Sequence, residues 1–400
     1  MRLKTVRFIR ALRGKRVFLR ADLNVPLDTG GMVIPSGDER IRRLLPTLRV
    51  LVDRGAVVII GSHLGRPAGK PAKKFSLAPV SAYLGNLWGR SVRQLPAVCG
   101  PSVASPVSRA QPGDILMLEN LRFDPGEESN DEAFARALAQ LADRYVNDAF
   151  GNCHRQHASM VGLPRHLKGY AGLLVAEEVS VLSRLISRPK RPLAAIIGGV
   201  KLSTKLAVIQ TFLKLADDVL LGGNLANTVL MANGVAVGRS PVEAQMITEL
   251  KQLKLTSTRL HLPVDVVTAT TPDDRVPATT KAVANVAADE YILDIGPDTV
   301  GLFEAVIRQA ATVVWNGPMG KYELLPYAAG TLGLVHALAH TPARVVVGGG
   351  ETVEAVRSYL PKPAAEYPNL YLSTGGGAML KFLEQGTLPA LEPLRVKSAV

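Results

Sequence analysis

Short apolar runs alternate along the chain with longer stretches in which apolar residues recur at helical spacing. Apolar runs of this length, bounded by glycine or polar clusters, are typical of strands buried on both faces of a parallel sheet. Because the alternation continues from end to end, we expect an α/β fold with doubly wound, mostly parallel sheets and helices on both faces. The predicted strands are residues 16–21, 56–61, 115–118, 144–147, 193–197, 218–221, 262–267, 312–315, 344–347 and 370–372.

The length of 400 residues and a break in the pattern predict two domains. A helix-like stretch at 177–185 is bracketed by glycines on one side and prolines on the other, which is typical of a connection between domains. We expect a first domain over 1–170, a connecting helix or hinge over 171–192, and a second domain over 193–387.

The formal net charge is +13 and is unevenly distributed. Residues 1–170 carry 26 Lys and Arg against 14 Asp and Glu, a net charge of +12. Such asymmetry indicates a nucleic acid or a small, multiply charged anion as partner. Aromatic residues make up only 5% of the chain, and it contains no helix-turn-helix, RNP or zinc-finger pattern, so we expect no specific nucleic-acid binding.

The lengths of the apolar runs and the positions of the cysteines argue against a membrane-spanning protein and a disulfide-stabilised one. No apolar run approaches the ~18 residues that span a bilayer, so no membrane partner is expected. Cys99 and Cys153 lie far apart and form no C-x-x-C motif, which excludes a disulfide framework and fits a reducing cytoplasm.

Basic side chains follow the predicted strands of the first half. The carboxyl ends of parallel strands meet at one edge of a sheet, so these side chains are expected to converge there. Guanidinium groups bind phosphate and carboxylate through paired hydrogen bonds, which predicts a ligand that bears both groups. The candidates after strands are His63, Arg66, Arg122 and Arg155, and a fifth candidate, Arg40, opens a helix-like run instead.

In the second half, glycines separate strands from helices at three places. Gly198 and Gly199 end a predicted strand, and Ser203 is predicted as the N-cap of the next helix, so Lys201 and Lys205 lie at the positive end of that helix. Two further glycine clusters, at 348–352 and 373–378, also follow strands. Helix N-termini of this kind bind phosphate groups, which predicts a nucleotide site.

On the residues alone, two other classes of protein stay open. A dinucleotide-dependent oxidoreductase shares the parallel sheets, although neither glycine cluster fits G-x-G-x-x-G, because positions 353 and 380 are Val and Leu. A nucleic-acid-binding protein would account for the sequence pI of about 9.8. Thermal stabilisation by NAD and not by Mg-ADP would favour the first class, and salt-sensitive retention on DNA the second.

Eight motifs together resemble the phosphoglycerate kinase family, and they follow the same order over nearly the whole chain. They are RADLNVP (20–26), SHLGRP (62–67), LENLRFDPGEE (118–128), NDAFGNCHRQHAS (147–159), GGVKLSTK (198–205), VVWNGPMGKYE (313–323), GGGETV (348–353) and STGGGAMLKFLE (373–384). The resemblance implies a monomeric cytoplasmic enzyme of two domains whose ligand sites face each other across a hinge cleft. It also implies that the tail, 388–400, packs back onto the first domain.

The implied reaction is reversible, in-line phosphoryl transfer between 1,3-bisphosphoglycerate and ADP, which gives 3-phosphoglycerate and ATP by domain closure, with Mg²⁺ bound to the nucleotide. The implied substrate-binding residues are Asp22, Leu23, Asn24, Arg40, His63, Leu64, Gly65, Arg66, Arg122 and Arg155. The implied nucleotide-binding residues are Gly199, Lys201, Lys205, Asn316, Pro318, Glu323, Gly348, Gly349, Gly350, Glu351 and Thr352. The implied catalytic residues are Arg40, Lys201, Gly375 and Gly376.

Three positions depart from the family pattern. Glu351 stands where the family usually has the Asp that contacts the metal, so Glu351 is the candidate Mg²⁺ ligand with a longer side chain. Asn224 replaces the third glycine of a triplet, and Ile292 replaces a glycine near the adenine. We therefore expect the metal contact and the shape of the base pocket to differ from the family pattern.

Overall fold

A computed structural model describes residues 1–252 and 259–396. The chain forms two compact units. Unit 1 comprises Met1–Ser183 and the end of the chain from Gln385, and unit 2 comprises Arg184–Glu384. Among the helices in the described ranges, none combines the length and apolar character that a membrane crossing requires.

Unit 1 is built on one six-stranded sheet in which every neighbouring pair of strands is parallel. Its strands are β1 (Arg16–Ala21), β2 (Val57–Gly61), β3 (Arg93–Gln94), β4 (Ile115–Met117), β5 (Arg144–Asp148) and β6 (Gly169–Ala171), in the order β3-β4-β2-β1-β5-β6. Its helices are α1 (Glu39–Asp53), α2 (Ala78–Trp88), α3 (Pro101–Ser108), α4 (Pro125–Ser129), α5 (Glu132–Ala139) and α6 (Leu163–His166). The division between the units falls inside α7 (Leu173–Ser187).

The core of unit 1 follows from the spacing of its apolar residues. Ile41, Leu44, Leu48 and Leu51 recur on one face of α1 and are buried against the sheet. β1 is central in the sheet and buried over five of its six residues, so its apolar side chains pack on both faces.

The chain from Gln385 joins the packing of unit 1. Leu391 and Leu394 are fully buried there. The backbone N–H of Ala390 donates to the Cys153 carbonyl at 3.2 Å, and that of Lys4 donates to the Leu394 carbonyl at 2.8 Å. This segment therefore contributes to the unit 1 core.

Unit 2 contains a second six-stranded parallel sheet and a smaller antiparallel one. The parallel sheet has the order β15-β14-β13-β7-β8-β9, and the antiparallel sheet the order β11-β10-β12. The strands are β7 (Leu193–Ile197), β8 (Asp218–Leu221), β9 (Leu260–His261), β10 (Asp265–Ala269), β11 (Thr279–Ala282), β12 (Tyr291–Ile295), β13 (Thr312–Asn316), β14 (Arg344–Gly348) and β15 (Leu370–Leu372). The helices are α8 (Leu206–Leu215), α9 (Gly223–Ala232), α10 (Ile247–Gln252), α11 (Pro297–Gln309), α12 (Ala329–His340), α13 (Gly350–Tyr359) and α14 (Gly377–Gln385).

The prediction of two parallel α/β sheets is confirmed, but one predicted strand is wrong. Residues 262–264 of this run lie between β9 and β10 and include Pro263, and only residues 265–267 belong to a strand, β10. Proline has no N–H for a sheet ladder, and β10 beyond it pairs antiparallel with its neighbours. The antiparallel sheet was not expected from the sequence.

Candidate functional site

The strand order of unit 1 creates a crevice between β1 and β5. The chain leaves β1 toward β2 on one side and leaves β5 toward β6 on the other, and ligands of such sheets bind where the direction reverses. Asp22 and Asn24 follow β1, and Arg155 follows β5. Predicted site residues therefore lie at this crevice.

Hydrogen bonds hold the loops after β1 and β2 together. The Asn24 Oδ1 accepts from the Gly65 N–H at 2.8 Å, and the Leu23 N–H donates to Ser62 Oγ at 2.9 Å. Leu23 and Leu64 are buried, and the Leu64 carbonyl accepts from Asn120 Nδ2 at 2.7 Å. Leu23 and Leu64 therefore support the loops through packing and backbone hydrogen bonds.

Arg40 extends from the first turn of α1 toward the loop after β1. Its Nη1 donates to Asp22 Oδ1 at 3.1 Å and to the Asn24 carbonyl at 2.9 Å. The Arg40 side chain remains 36% exposed. Hydrogen bonds thus hold one nitrogen of Arg40, while the side chain as a whole remains accessible to solvent.

Arg122 is almost fully buried, and most of its donors lack acceptors. Its Nη1 donates to the Gly65 carbonyl at 2.7 Å. Its Nε lies 3.1 Å from Glu128 Oε1 but outside hydrogen-bonding geometry, and its Nη2 has no acceptor among the described residues. Arg155 Nε and His63 Nδ1 are likewise buried without a hydrogen-bond partner there. Unpaired buried donors cost free energy, so their convergence is typical of a site that an anion completes.

Several guanidinium groups lie close enough to His63 to lower its pKa. Burial lowers this pKa well below its ordinary value, and the charges of Arg20, Arg122, Arg155 and Arg40 lower it further. His63 is therefore neutral at pH 7. Arg66, which follows Gly65, is exposed.

A buried polar network lies beside these arginines, and the sequence reasoning gave it no role. Arg20 Nε donates to Ser159 Oγ at 2.8 Å, and the Ser159 hydroxyl and N–H donate to the two carboxylate oxygens of Glu127 at 2.6 and 2.9 Å. Arg20 and Glu127 are both buried. A charged residue inside the apolar run VFLRA was the sequence signal for this network.

The parallel sheet of unit 2 has an equivalent crevice between β7 and β13. There the Gly198 N–H donates to the Asn316 carbonyl at 3.0 Å, and the Gly199 N–H to the Pro318 carbonyl at 2.9 Å. A Cβ on Gly198 would lie 2.1 Å from the Pro318 carbonyl oxygen, so only glycine fits this approach. The two loops therefore form one continuous backbone surface.

Lys205 is held beneath this surface. Its Nζ donates to the carbonyls of Gly198 and Asn316 at 2.5 and 3.3 Å. Burial lowers the pKa of Lys205 from 10.5 to about 8, and the nearby Glu351 carboxylate opposes that shift. Lys201, in contrast, is exposed on the loop before α8.

The predicted N-cap at Ser203 is wrong. Helix α8 begins at Leu206, and Lys205 is the residue that flanks it. The Ser203 hydroxyl instead donates to Glu243 Oε1 at 2.6 Å, so a partner distant in sequence displaces the local cap.

The second and third glycine clusters follow β14 and β15, as predicted. Asn316 Nδ2 donates to the Gly348 carbonyl at 2.8 Å, and the Gly317 N–H donates to Thr352 Oγ1 at 2.7 Å. Gly349 has a φ of +96° and directly precedes α13. The Gly375 N–H donates to Ser373 Oγ at 3.1 Å, and Gly376 has a φ of +48° before α14.

A cavity of about 470 Å³ opens on the unit 2 crevice. Its volume is typical of a site for a small organic ligand. Of the predicted nucleotide residues, Gly199, Pro318, Glu323 and Glu351 line it. Lys201, Lys205, Asn316, Gly348, Gly349, Gly350 and Thr352 are not part of its lining.

The remaining walls of this cavity include residues that the sequence reasoning had not assigned to nucleotide binding. Asn224 and Ile292, the two departures from the family pattern, are both in the lining. Further walls are Val200, Gly223, Pro241, Pro272, Tyr291, Leu293, Gly320, Lys321 and Leu324. Most of these side chains are apolar.

Two doubly wound α/β units, one with converging buried arginines and one with glycine loops beside a cavity, are typical of enzymes that transfer phosphoryl groups. The family model for phosphoglycerate kinase matches residues 8–386, and the chain belongs to this family. The phosphoglycerate kinase of Pelotomaculum thermopropionicum is 44% identical over 395 residues, which cover 98% of each chain. That of Salinispora arenicola is 45% identical over 388 residues, covering 95% of this chain and 96% of the relative.

Solved structures agree with these relatives. The phosphoglycerate kinase structure from Coxiella burnetii matches with a TM-score of 0.84 at 37% identity, covering 98% of each chain. The structure from Pyrococcus horikoshii has the same TM-score at 28% identity and the same coverage. The chain is therefore a kinase of glycolysis that interconverts 1,3-bisphosphoglycerate and ADP with 3-phosphoglycerate and ATP.

Proposed function

We propose that unit 1 binds 3-phosphoglycerate or 1,3-bisphosphoglycerate and that unit 2 binds ADP or ATP. The observation that carries the first assignment is the set of buried nitrogen atoms without a hydrogen-bond partner among the described residues on Arg122, Arg155 and His63, of which those of the two arginines are donors. A phosphate group supplies several acceptor oxygens and two negative charges, so it satisfies these donors and the positive potential together. Asp22 and Asn24 lie at the same crevice and are assigned to the hydroxyl and carboxylate end of the substrate.

In unit 2, the apolar walls of the cavity are assigned to the nucleotide base. The glycine loops and Lys205 are assigned to its phosphates, because free N–H groups at helix N-termini and an ammonium group attract them. Thr352 and Asn316 position these loops through the hydrogen bonds to Gly317 and Gly348. Lys201, on the exposed loop before α8, is assigned to the phosphates as well.

Mg²⁺ is assigned to Glu351 together with the nucleotide phosphates. Among residues 1–252 and 259–396, no group of three or more His, Cys, Asp or Glu side chains could hold a metal ion without other ligands. One carboxylate on the cavity wall does fit Mg²⁺, which commonly takes one or two carboxylates along with phosphate oxygens and water. Bound there, the ion would neutralise phosphate charge during the transfer.

The acceptor in this reaction is a carboxylate that is already ionised at pH 7, so the chain needs no general base. Arg40 and Lys201 are assigned to the charge of the transferring group, and the N–H groups of Gly375 and Gly376 to its oxygens. The Gly375 N–H donates a hydrogen bond to Ser373 Oγ, so this bond must break before the N–H can donate to an oxygen of the transferring group. Because the two substrates are assigned to different units, we propose that the units close during turnover to exclude water from the acyl phosphate.

We also propose that the enzyme works as a cytoplasmic monomer. Each assigned site is formed within a single unit of one chain. Cys99 and Cys153 are both free thiols, which is usual in a reducing compartment.

A coupled assay of ATP formation from 1,3-bisphosphoglycerate tests these assignments. We expect activity that depends on Mg²⁺, and thermal stabilisation of the protein by Mg-ADP and not by NAD. Unchanged 3-phosphoglycerate affinity after Arg122→Met and Arg155→Met would overturn the assignment of unit 1. Unchanged ADP affinity after Glu351→Ala and Tyr291→Ala would overturn that of unit 2.

A further inference from the structure

Helix α12 carries two histidines one turn apart on its exposed side. His336 and His340 are four residues apart and both exposed. Their ring centroids are 4.3 Å apart, and their planes are inclined by 43°. The opposite side of the helix, with Leu334, Val335 and Leu338, is buried in the unit 2 core.

One hydrogen bond determines where the proton of His340 lies. Its Nδ1 is 2.8 Å from the His336 backbone carbonyl, and a carbonyl can only accept, so Nδ1 is the donor. In the neutral ring, Nε2 therefore carries the lone pair. Within the described part of the chain, neither histidine has an ion pair, and Nε2 of His340 has no hydrogen-bond partner. A ring that donates its other N–H to a backbone carbonyl is the usual arrangement of a metal-ligating histidine.

The separation of the rings is compatible with one shared ion. A metal about 2.1 Å from a nitrogen of each ring would lie about 3.2 Å from each ring centroid. If one nitrogen of each ring faces the same ion, centroids 4.3 Å apart correspond to a nitrogen–metal–nitrogen angle of about 85°. This value is close to the right angle between neighbouring ligands in square-planar or octahedral sites, the geometries that Cu²⁺ and Ni²⁺ prefer.

We propose that His336 and His340 form a surface site for a divalent transition metal, with Cu²⁺ bound more tightly than Ni²⁺ or Zn²⁺. Two imidazoles occupy neighbouring positions on the ion, and water occupies the others. Imidazole suits these ions, whereas Mg²⁺ and Ca²⁺ prefer oxygen ligands, so millimolar Mg²⁺ does not compete. Since the described residues provide no cluster of three or more such ligands, the site is open and exchanges its ion readily.

The site is distinct from the one assigned to Mg²⁺ and nucleotide. His336 and His340 are absent from the lining of the nucleotide cavity, and Glu351 is absent from α12. The expected effect of metal binding at this site is local, because the ion links the last two turns of α12. Metal binding should therefore stabilise the folded chain without being needed for phosphoryl transfer.

Calorimetric titration of the full-length chain without an affinity tag, in the presence of excess Mg²⁺, tests the proposal. We expect one equivalent of Ni²⁺ or Cu²⁺ per chain, and at least a tenfold loss of affinity in His336→Gln and in His340→Gln. His166→Gln is the matched control, since His166 lies in unit 1 and pairs with Glu132 at 2.9 Å. That variant should bind Ni²⁺ as the parent chain does.

Electron paramagnetic resonance of the Cu²⁺-loaded protein gives an independent measure. We expect coupling to two imidazole nitrogens in the parent chain and to one in either single variant. Binding that survives in the double variant His336→Gln/His340→Gln, or a parent spectrum with one nitrogen, would overturn the proposal. Melting temperatures in EDTA should be equal for all variants, which separates loss of the site from loss of the fold.

Discussion

Replacing Arg122 with methionine tests the assignment of unit 1 most directly. The substitution keeps an unbranched side chain of similar length but removes a buried guanidinium group. Two of its nitrogens, Nε and Nη2, have no hydrogen-bond acceptor among the described residues. If the substrate phosphate supplies those acceptors, the variant loses two hydrogen bonds to a charged group.

The magnitude follows from these two bonds. A hydrogen bond to a charged group contributes about 1.5–3 kcal/mol, so the loss is about 3–6 kcal/mol before any compensation. Removing Arg122 also relieves the cost of burying a charge, and burial already lowers the pKa of this guanidinium despite the nearby Glu128 carboxylate. We therefore take the lower part of the range, which corresponds to a 3-phosphoglycerate affinity about 10²–10³-fold weaker.

Steady-state kinetics and calorimetry with 3-phosphoglycerate measure this change. The KM and Kd for 3-phosphoglycerate should rise together, and kcat should stay within about tenfold, because the interaction exists before the transition state. Arg109→Met, at an exposed position after α3, is the matched control and should leave these constants unchanged. A variant with intact 3-phosphoglycerate affinity and a much lower kcat would refute the reasoning.

Four further outcomes are expected. Arg40→Met should lower kcat by about 10³-fold with both KM values within about tenfold, and Arg40→Lys should restore little, because a point charge cannot replace the planar guanidinium. Glu351→Asp should retain or raise activity in a Mg²⁺ titration, because the shorter carboxylate restores the reach usual in the family. The ADP affinity, measured by calorimetry, should fall about tenfold from pH 7 to pH 9, because Lys205, with a pKa of about 8, loses its charge over that interval. Leu394→Ala should lower the free energy of unfolding of unit 1 by about 2–4 kcal/mol in denaturant titration, because Leu394 is fully buried.

Each of these outcomes has a result that contradicts it. A raised KM with unchanged kcat would make Arg40 a binding residue. A loss of about 10²-fold or more in Glu351→Asp would show that the metal site is adapted to glutamate. For Lys205, the protonated form binds phosphate better, so the ADP affinity is full below pH 8 and declines above it. Lys205→Arg should flatten this dependence of ADP affinity on pH. Leu325→Ala, at a side chain that is 79% exposed, is the control for Leu394→Ala and should cost less than about 0.5 kcal/mol.

The strands that the sequence predicts best are those buried on both faces. β1, β7 and β8 have the predicted bounds, because such strands are largely apolar runs that end at polar or glycine residues. The half-buried edge strand β15 also has the predicted bounds. The elements that the sequence did not predict are short or carry charge. β3 has two residues, and β12 includes the buried Asp294, whose carboxylate accepts from the Gly330 N–H at 2.6 Å. The local pattern of apolar and polar residues does not reveal a strand whose hydrogen bonds depend on a partner remote in the chain.

Local motifs indicate the candidate chemistry, because guanidinium groups, ammonium groups and the free N–H groups of glycine turns at strand ends all attract anions. The motifs do not show which of these side chains are buried in the folded protein. Arg122 and the exposed Arg66 look equivalent in the sequence, yet only Arg122 has donors enclosed without acceptors. The same holds for Lys201 and Lys205, four residues apart: Lys201 is exposed, whereas burial lowers the pKa of Lys205 to about 8. Solvent exposure and electrostatic environment depend on segments that folding brings together, so they emerge only when the strands are ordered and the loops packed.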